Sequence, residues 1–201
     1  MRIDGPDRVK NPWFYRGFIS KKRNAYATIF LHHFSGFTYV HLQTSTNMKE
    51  TLKTKTAFES YVRSLGVRIR YYHTDNDKFT DKEFKQAIQD AGQSISYCGD
   101  NAHFQNGRAE KKIMDLQDKE RTTLLHTIAR WPQTITTHLW LYALAHVYNV
   151  DKHIPNDKTG RSPLELFSAT EVKPRPKTFH TFGCPIFTLN SRLQSDQSVP
   201  K

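Results

Sequence analysis

Two carboxylates in this chain occupy positions where a fold gathers ligands. Asp75 follows Val67-Arg-Ile-Arg-Tyr-Tyr-His73, a run of β-branched and aromatic residues that reads as a strand. Glu110 falls in the first turn of a long amphipathic helix. Ligands of α/β sheets collect where strands end, and neighbouring carboxylates are hard oxygen donors suited to Mg²⁺. On the helix, Ala109, Ile113, Leu116 and Leu124 share one face, Arg108, Lys112 and Lys119 point away, and Glu110 lies on the rim between them. The spacing alone assigns neither acid a role. A first-turn Glu is also favoured simply by the helix dipole, and that reading stays open.

The approach to this helix is polar. Gln105-Asn106-Gly107 offers amide side chains for phosphate or base edges and a glycine that permits close backbone approach; a plain capping loop around Asn106 is the alternative. Arg108, Lys111, Lys112 and Lys119 are placed to hold a nucleic-acid backbone with salt-sensitive affinity. Lys21-Lys22-Arg23 and Arg68/Arg70 add to the field or form a solvated face. His73 shares a strand face with Asp75 and reads more readily as a packing or supporting group than as a metal ligand. Cys98 reads as a small core residue.

The elements that must position these groups follow from pattern. The first 24 residues are irregular. Tyr26–Leu31 and Phe37–Gln43 form a hairpin around His33-Phe-Ser-Gly36. A helix capped at Thr46 or Asn47 runs to about Leu65 and ends at Gly66. The strand 67–73 follows, then a short helix opened by Asp81 and closed by Gly92, then a strand Ser94–Tyr97. The long helix spans about Arg108–Arg130, and Pro132 begins another. Beyond Asp151 the chain is Pro-rich, with a short helix at Pro163–Ser168 and one more hydrophobic element at Phe179–Phe187. This order predicts an α/β domain over 1–150 with one mixed sheet, and a C-terminal extension over 151–201.

Composition bounds the function classes. The chain has 201 residues, 37% hydrophobic and 12% aromatic, enough bulky material for a core. Thirty Lys and Arg against nineteen Asp and Glu leave a formal charge of +11, which points to a polyanionic partner such as nucleic acid. Cys98 and Cys184 are far apart with no CxxC pair, which argues against a disulfide scaffold and a four-ligand zinc finger. No signal peptide or membrane span is legible, so a soluble protein of a reducing compartment is expected.

His73-Thr-Asp-Asn76 followed by Asn101-Ala-His-Phe-Gln-Asn-Gly-Arg-Ala-Glu110 resembles the catalytic core of retroviral and retrotransposon integrases. Tyr26–Ser35, Tyr39–Gln43, Arg130-Trp-Pro132, Gly160–Phe167 and Phe179-His-Thr-Phe-Gly-Cys-Pro185 extend the resemblance along nearly the whole chain, and more narrowly to the copia-type retrotransposon branch. The resemblance implies an RNase H-like fold: a mixed sheet, with an antiparallel hairpin and parallel crossover strands, flanked by helices. It implies DNA integration by polynucleotidyl transfer, with 3′-end trimming and then strand transfer. Two Mg²⁺ (or Mn²⁺) ions would be held by two Asp and one Glu.

Asp75 and Glu110 match the second and third acids of that motif. Asp4, in Arg2-Ile-Asp4-Gly5-Pro6, is the candidate for the first, although the strand carrying it is expected to be truncated. The resemblance further implies element and target DNA as partners, a homo-oligomer, and an intracellular location, in the nucleus or a cytoplasmic virus-like particle, as part of a larger polyprotein. Several positions depart from the branch's usual residues: His32, Gly36, Asp77, Asp100 and Met114. These departures fit a degenerate element, so a DNA-binding relic of the same fold with no competent metal site is the alternative. An RNase H-fold nuclease or resolvase, or an unrelated basic interaction module, stands further off.

Overall fold

The computed structural model describes residues 2–3, 24–74, 78–99, 107–157, 159–172 and 179–186. Tyr26–Leu31 (β2) and Thr38–Gln43 (β3) pair antiparallel, from Tyr26 opposite Gln43 to Leu31 opposite Thr38. Their turn is closed by the His32 N–H donating to the Phe37 carbonyl at 2.8 Å. Arg2–Ile3 (β1) adds antiparallel to the other edge of β2, with Arg2 opposite Thr28. Tyr71–Thr74 (β4) and Ser94–Tyr97 (β5) pair parallel, as a crossover connection requires.

The described strands therefore form two sheets, β1-β2-β3 and β4-β5, where the sequence predicts one. Side chains rather than a ladder join β2 to β4: Phe30 stacks on Phe58 with ring centroids 4.2 Å apart and meets Tyr72 edge-on at 6.3 Å. The expected strand 67–73 also shortens to 71–74. β5 lies alongside only from Tyr71 onward, and the Ile69 carbonyl instead accepts from the Gln93 amide at 3.1 Å.

The helices follow their caps. Met48–Ser64 (α1) starts where the Asn47 side chain accepts from the Glu50 N–H at 2.9 Å. Gly66, at φ +77°, turns the chain out of its end. Lys82–Asp90 (α2) is capped by Asp81. Gly107–Arg130 (α3) is 24 residues long, and Trp140–Asp151 (α4) returns beside it.

A helix does not begin at Pro132. Residues 132–134 form a turn, and a single 3₁₀ turn at Thr137–Leu139 leads into α4. The run Thr134-Ile-Thr-Thr137 explains the delay, because consecutive β-branched residues lose side-chain freedom in a helix. Pro163–Ser168 (α5) opens on a capping box between Ser162 and Glu165. Phe179–Ile186 is irregular rather than a strand, and Phe187 lies outside the described residues. Phe182 packs on the main core, and Thr127 of α3 donates to its carbonyl at 3.3 Å. Gly183, at φ +73°, sits so close to the Thr127 methyl that a Cβ would collide with it.

Three apolar clusters hold these parts together. Ile113, Leu116 and Leu124 of α3 and Leu141, Leu144 and Val147 of α4 cover Ala27, Ile29 and Val40. On the other side, Phe58 and Val62 of α1 and Leu164 and Phe167 of α5 pack around Phe37. Phe79, Phe84 and Ile88 secure α2 near Tyr72 and Ile95. Burying any one of the Val, Leu, Ile or Phe side chains among these is worth roughly 1.5–3 kcal/mol.

Glu120 lies on the buried face of α3 at 6% exposure. Burial pushes its carboxyl up to about 8, against a smaller opposing pull from Arg121. An unfolded Glu titrates near about 4.3. Between that value and 8 the folded chain keeps a proton that the unfolded chain has released, so stability falls as pH rises through this window. Glu120→Gln should match the parent in thermal melts at about pH 4 and exceed it by at least about 5 °C at about pH 8.5; equal melting at the higher pH would contradict the burial argument. The two cysteine thiols differ as sharply, Cys98 being buried and Cys184 exposed. Maleimide should label Cys184 alone in the native protein and both after denaturation, read by intact mass; fast native labelling of Cys98 would be inconsistent with this packing.

Candidate functional site

The end of β2, the length of β4 and the first turn of α3 converge on one cleft of about 710 Å³. β2 contributes Ile29, Phe30 and Leu31, followed by His32 and His33; β4 and the segment before it contribute residues 67–74; α3 contributes Arg108 and Ala109. Phe58 and Phe167 join the apolar part of the lining. Thr74 and Ala109 are the immediate chain neighbours of Asp75 and Glu110, so the two sequence regions singled out for chemistry open onto the same space.

Glu110 itself stands exposed in the first turn of α3 and makes no ion pair among the described residues. Asp4, Asp75, Gln105 and Asn106 lie outside the described residues, as do Asn76, Asp77 and Asp100. Among the described residues no three His, Cys, Asp or Glu side chains gather to hold a metal ion.

The strand end that precedes Asp75 is tied down by side chains. His73 Nδ1 lies 2.8 Å from Ser96 Oγ on β5, and His73 Nε2 lies 3.5 Å from Cys98 Sγ. The Tyr71 hydroxyl donates to the same Ser96 oxygen. His73 is thus a supporting group, and Cys98 is a core residue that also touches its ring. Ser96 was not legible as part of this arrangement; the parallel pairing of His73 with Ser96 brings it there.

The basic side chains divide into two groups. Lys112 and Lys119 both donate to the buried carboxylate of Asp151 at the end of α4. Burial alone would raise the Asp151 carboxyl, but the hydrogen bonds and charges of the two lysines outweigh it and leave it below the ordinary range. The helix wheel turns Lys112 and Lys119 away from the apolar face, yet α4 packs close enough to claim both. Arg108 and Lys111 are exposed, and Gly107 begins the helix. Arg108 lies near His32, whose imidazole is lowered first by burial, then by His33, then by Arg108. His32 is also fixed by Ser35 at 2.8 Å and by the edge of Phe167 at 5.1 Å.

No protein-family model matches the chain, and no curated protein matches its sequence. Solved structures do. A chain of the simian T-cell lymphotropic virus intasome, in complex with the PP2A regulatory subunit B56 gamma, is 15% identical; the match covers 86% of this chain and 56% of that one at a TM-score of 0.55. This chain thus spans little more than half of the intasome chain's length. The HTLV-2 integrase catalytic core domain in complex with magnesium also matches. Its trimeric form is 14% identical, with 71% of this chain and 84% of that one covered at a TM-score of 0.48. Its dimeric form is 15% identical, with 71% and 83% covered at a TM-score of 0.47. The likeness to the intasome chain is one of fold, that of a mixed α/β domain.

Proposed function

We propose that this chain is the catalytic core of a DNA-integrating polynucleotidyl transferase of RNase H-like fold, from a copia-type retrotransposon polyprotein. The observation that carries the reading is the meeting of the end of β4 with the first turn of α3 on one cleft, next to Asp75 and Glu110 in the chain. The integrase-like fold and the +11 charge support it.

Asp4, Asp75 and Glu110 are the proposed ligands. The donor set fits Mg²⁺, since all three are hard carboxylates and Glu110 is exposed rather than engaged in packing. A bound pair of such ions would supply activation of the attacking oxygen and stabilisation of the leaving one. The chain's own residues do the positioning. Gly107 lets a phosphate approach the start of α3, where the helix dipole favours an anion. Gln105 and Asn106 are proposed to contact the DNA beside the reacting phosphate. Arg108 and Lys111 hold its backbone, with Lys112 and Lys119 contributing through a field partly offset by Asp151. His73, braced by Ser96, steadies the strand from which Asp75 emerges.

With Mn²⁺ or Mg²⁺ and duplex oligonucleotides, Asp75→Asn and Glu110→Gln should each reduce strand joining by at least about a hundredfold while leaving duplex binding within about twofold. Joining by these variants at the parent's rate would refute the site. A parent that binds duplex but joins none with Mn²⁺ leaves the DNA-binding relic as the function. Lys111→Ala should weaken duplex binding uniformly across sequences and flatten the dependence of log affinity on log salt by about one unit; an unchanged slope would remove Lys111 from the interface.

A further inference from the structure

We propose that Phe34, at the tip of the β2–β3 turn, is a platform on which an unpaired base of DNA stacks beside the start of α3. The inference rests on the reading of this chain as an enzyme that joins DNA. It names a substrate feature which that reading leaves open: a single-stranded base next to the bound duplex.

Two phenylalanines three residues apart meet opposite fates in this turn. Phe37 is 1% exposed and stacks on Phe167 with ring centroids 4.2 Å apart. Phe34 is 77% exposed, more than any other Phe, Tyr or Trp of the described residues. It belongs to none of the three apolar clusters and meets no other ring among the described residues. Other exposed aromatics have partners. Tyr71 binds Ser96 through its hydroxyl, and Trp131 has the Arg130 guanidinium 5.8 Å from its ring centroid. Phe34 has no polar atom with which to do the former.

The tip that carries this ring is held by a set of short-range bonds. The His32 N–H donates to the Phe37 carbonyl at 2.8 Å, and the Gly36 N–H donates back to the His32 carbonyl at 2.9 Å. Inside the turn, the buried Ser35 hydroxyl oxygen accepts from the Phe37 N–H at 3.1 Å and lies 2.8 Å from His32 Nδ1. The Thr38 hydroxyl donates to the Gly36 carbonyl at 3.1 Å. The backbone is thus ordered before any partner arrives. A base that stacks there fixes little more than the ring's own torsions, which keeps the entropic cost of binding low.

The surroundings select the kind of partner. Residues 32–36 contain no carboxylate and no second aliphatic or benzenoid side chain, and His32 and His33 are exposed. Arg108 lies close enough to lower the His32 imidazole, behind burial and His33 as causes, and Lys111 is exposed on the same turn of α3. A protein partner would bury a contiguous apolar patch around its anchor. A base needs one ring face, with cations for the phosphates on either side. The second description fits this turn.

Position links the platform to the proposed chemistry. His32 and His33 share a lining with Thr74 and Ala109, the chain neighbours of Asp75 and Glu110. Phe34 follows His32 by at most about 7 Å of backbone. A DNA end gripped by Arg108 and Lys111 would bring its last bases to the turn. Stacking one of them on Phe34 would hold that strand away from its complement and leave the adjoining phosphate accessible.

The test uses the full chain, a blunt duplex and the same duplex with three unpaired nucleotides at one end. The parent should bind the overhang form at least about fivefold more tightly, Phe34→Ala should bind both forms as the parent binds the blunt one, and Phe34→Trp should keep the preference. Phe34→Ala should melt within about 2 °C of the parent, since the ring packs on nothing. With 5-iodouracil in the overhang, irradiation should crosslink the parent at Phe34, read by peptide mass. A preference that survives Phe34→Ala, or a crosslink that maps to another residue, overturns the proposal. So does conversion of a dimeric parent to a monomer by Phe34→Ala, which would make a second copy the partner of this ring. A parent that binds both DNA forms alike overturns the stacking role and leaves the polynucleotidyl-transferase reading standing; a parent that binds neither form removes both.

Discussion

The seating of α3 on the antiparallel sheet is the contact on which the other arrangements depend. Leu116 is fully buried and Leu124 nearly so, and with Ile113 they lie over Ala27, Ile29 and Val40 while α4 closes the same cluster from the side. At ~1.5 Å of rise per residue, a helix of 24 residues spans about 36 Å. A small tilt of the helix would therefore carry its first turn well away from the strand ends. Asp151 resists that tilt by holding Lys112 and Lys119, seven residues apart and so on one face of α3, to the end of α4. A carboxylate removed from water with two cations is costly to disturb, because any partner left alone stays poorly solvated. The start of α3, with Arg108 and Glu110, is in this way held at the cleft.

The parallel pair β4-β5 needs its own attachment, since no described ladder joins it to the hairpin. A partly buried polar network supplies it. Glu59 of α1 accepts from the Tyr72 hydroxyl at 2.7 Å, from the Gln93 amide at 2.8 Å and from Lys55 at 2.9 Å. Burial raises the Glu59 carboxyl, but Lys55, Tyr72 and Gln93 together pull it below the ordinary range, so the charge stays on. The same contact, with burial as the larger cause, raises the Tyr72 phenol. The network links α1, β4 and the approach to β5, and Phe30 stacked on Phe58 completes the bridge from the hairpin.

The cleft carries apolar rings on its floor and cations at its rim. The proposed chemistry would use the end where β4 meets the first turn of α3, beside Arg108. Lys112 and Lys119 serve the helix pair first, which shows how a large positive charge overstates the cations open to a partner.

Local patterns were enough to locate most elements. Asn47, Asp81 and Ser162 cap helices by bonding to backbone N–H groups two or three residues away, and the alternation in 38–43 is visible in six consecutive letters. Such signals depend on neighbours in sequence. The buried Glu120, the pairing of Lys112 and Lys119 with Asp151, the bracing of His73 by Ser96 and the delayed start of α4 were not legible. Each is decided by a group more than twenty residues away, or by packing that outweighs or withholds support from a local preference. Whether one sheet or two would form was likewise undecided by any single run. Residues, caps and charge are written along the chain, whereas the meeting of β2, β4 and the start of α3 on one cleft depends on packing between side chains far apart in sequence.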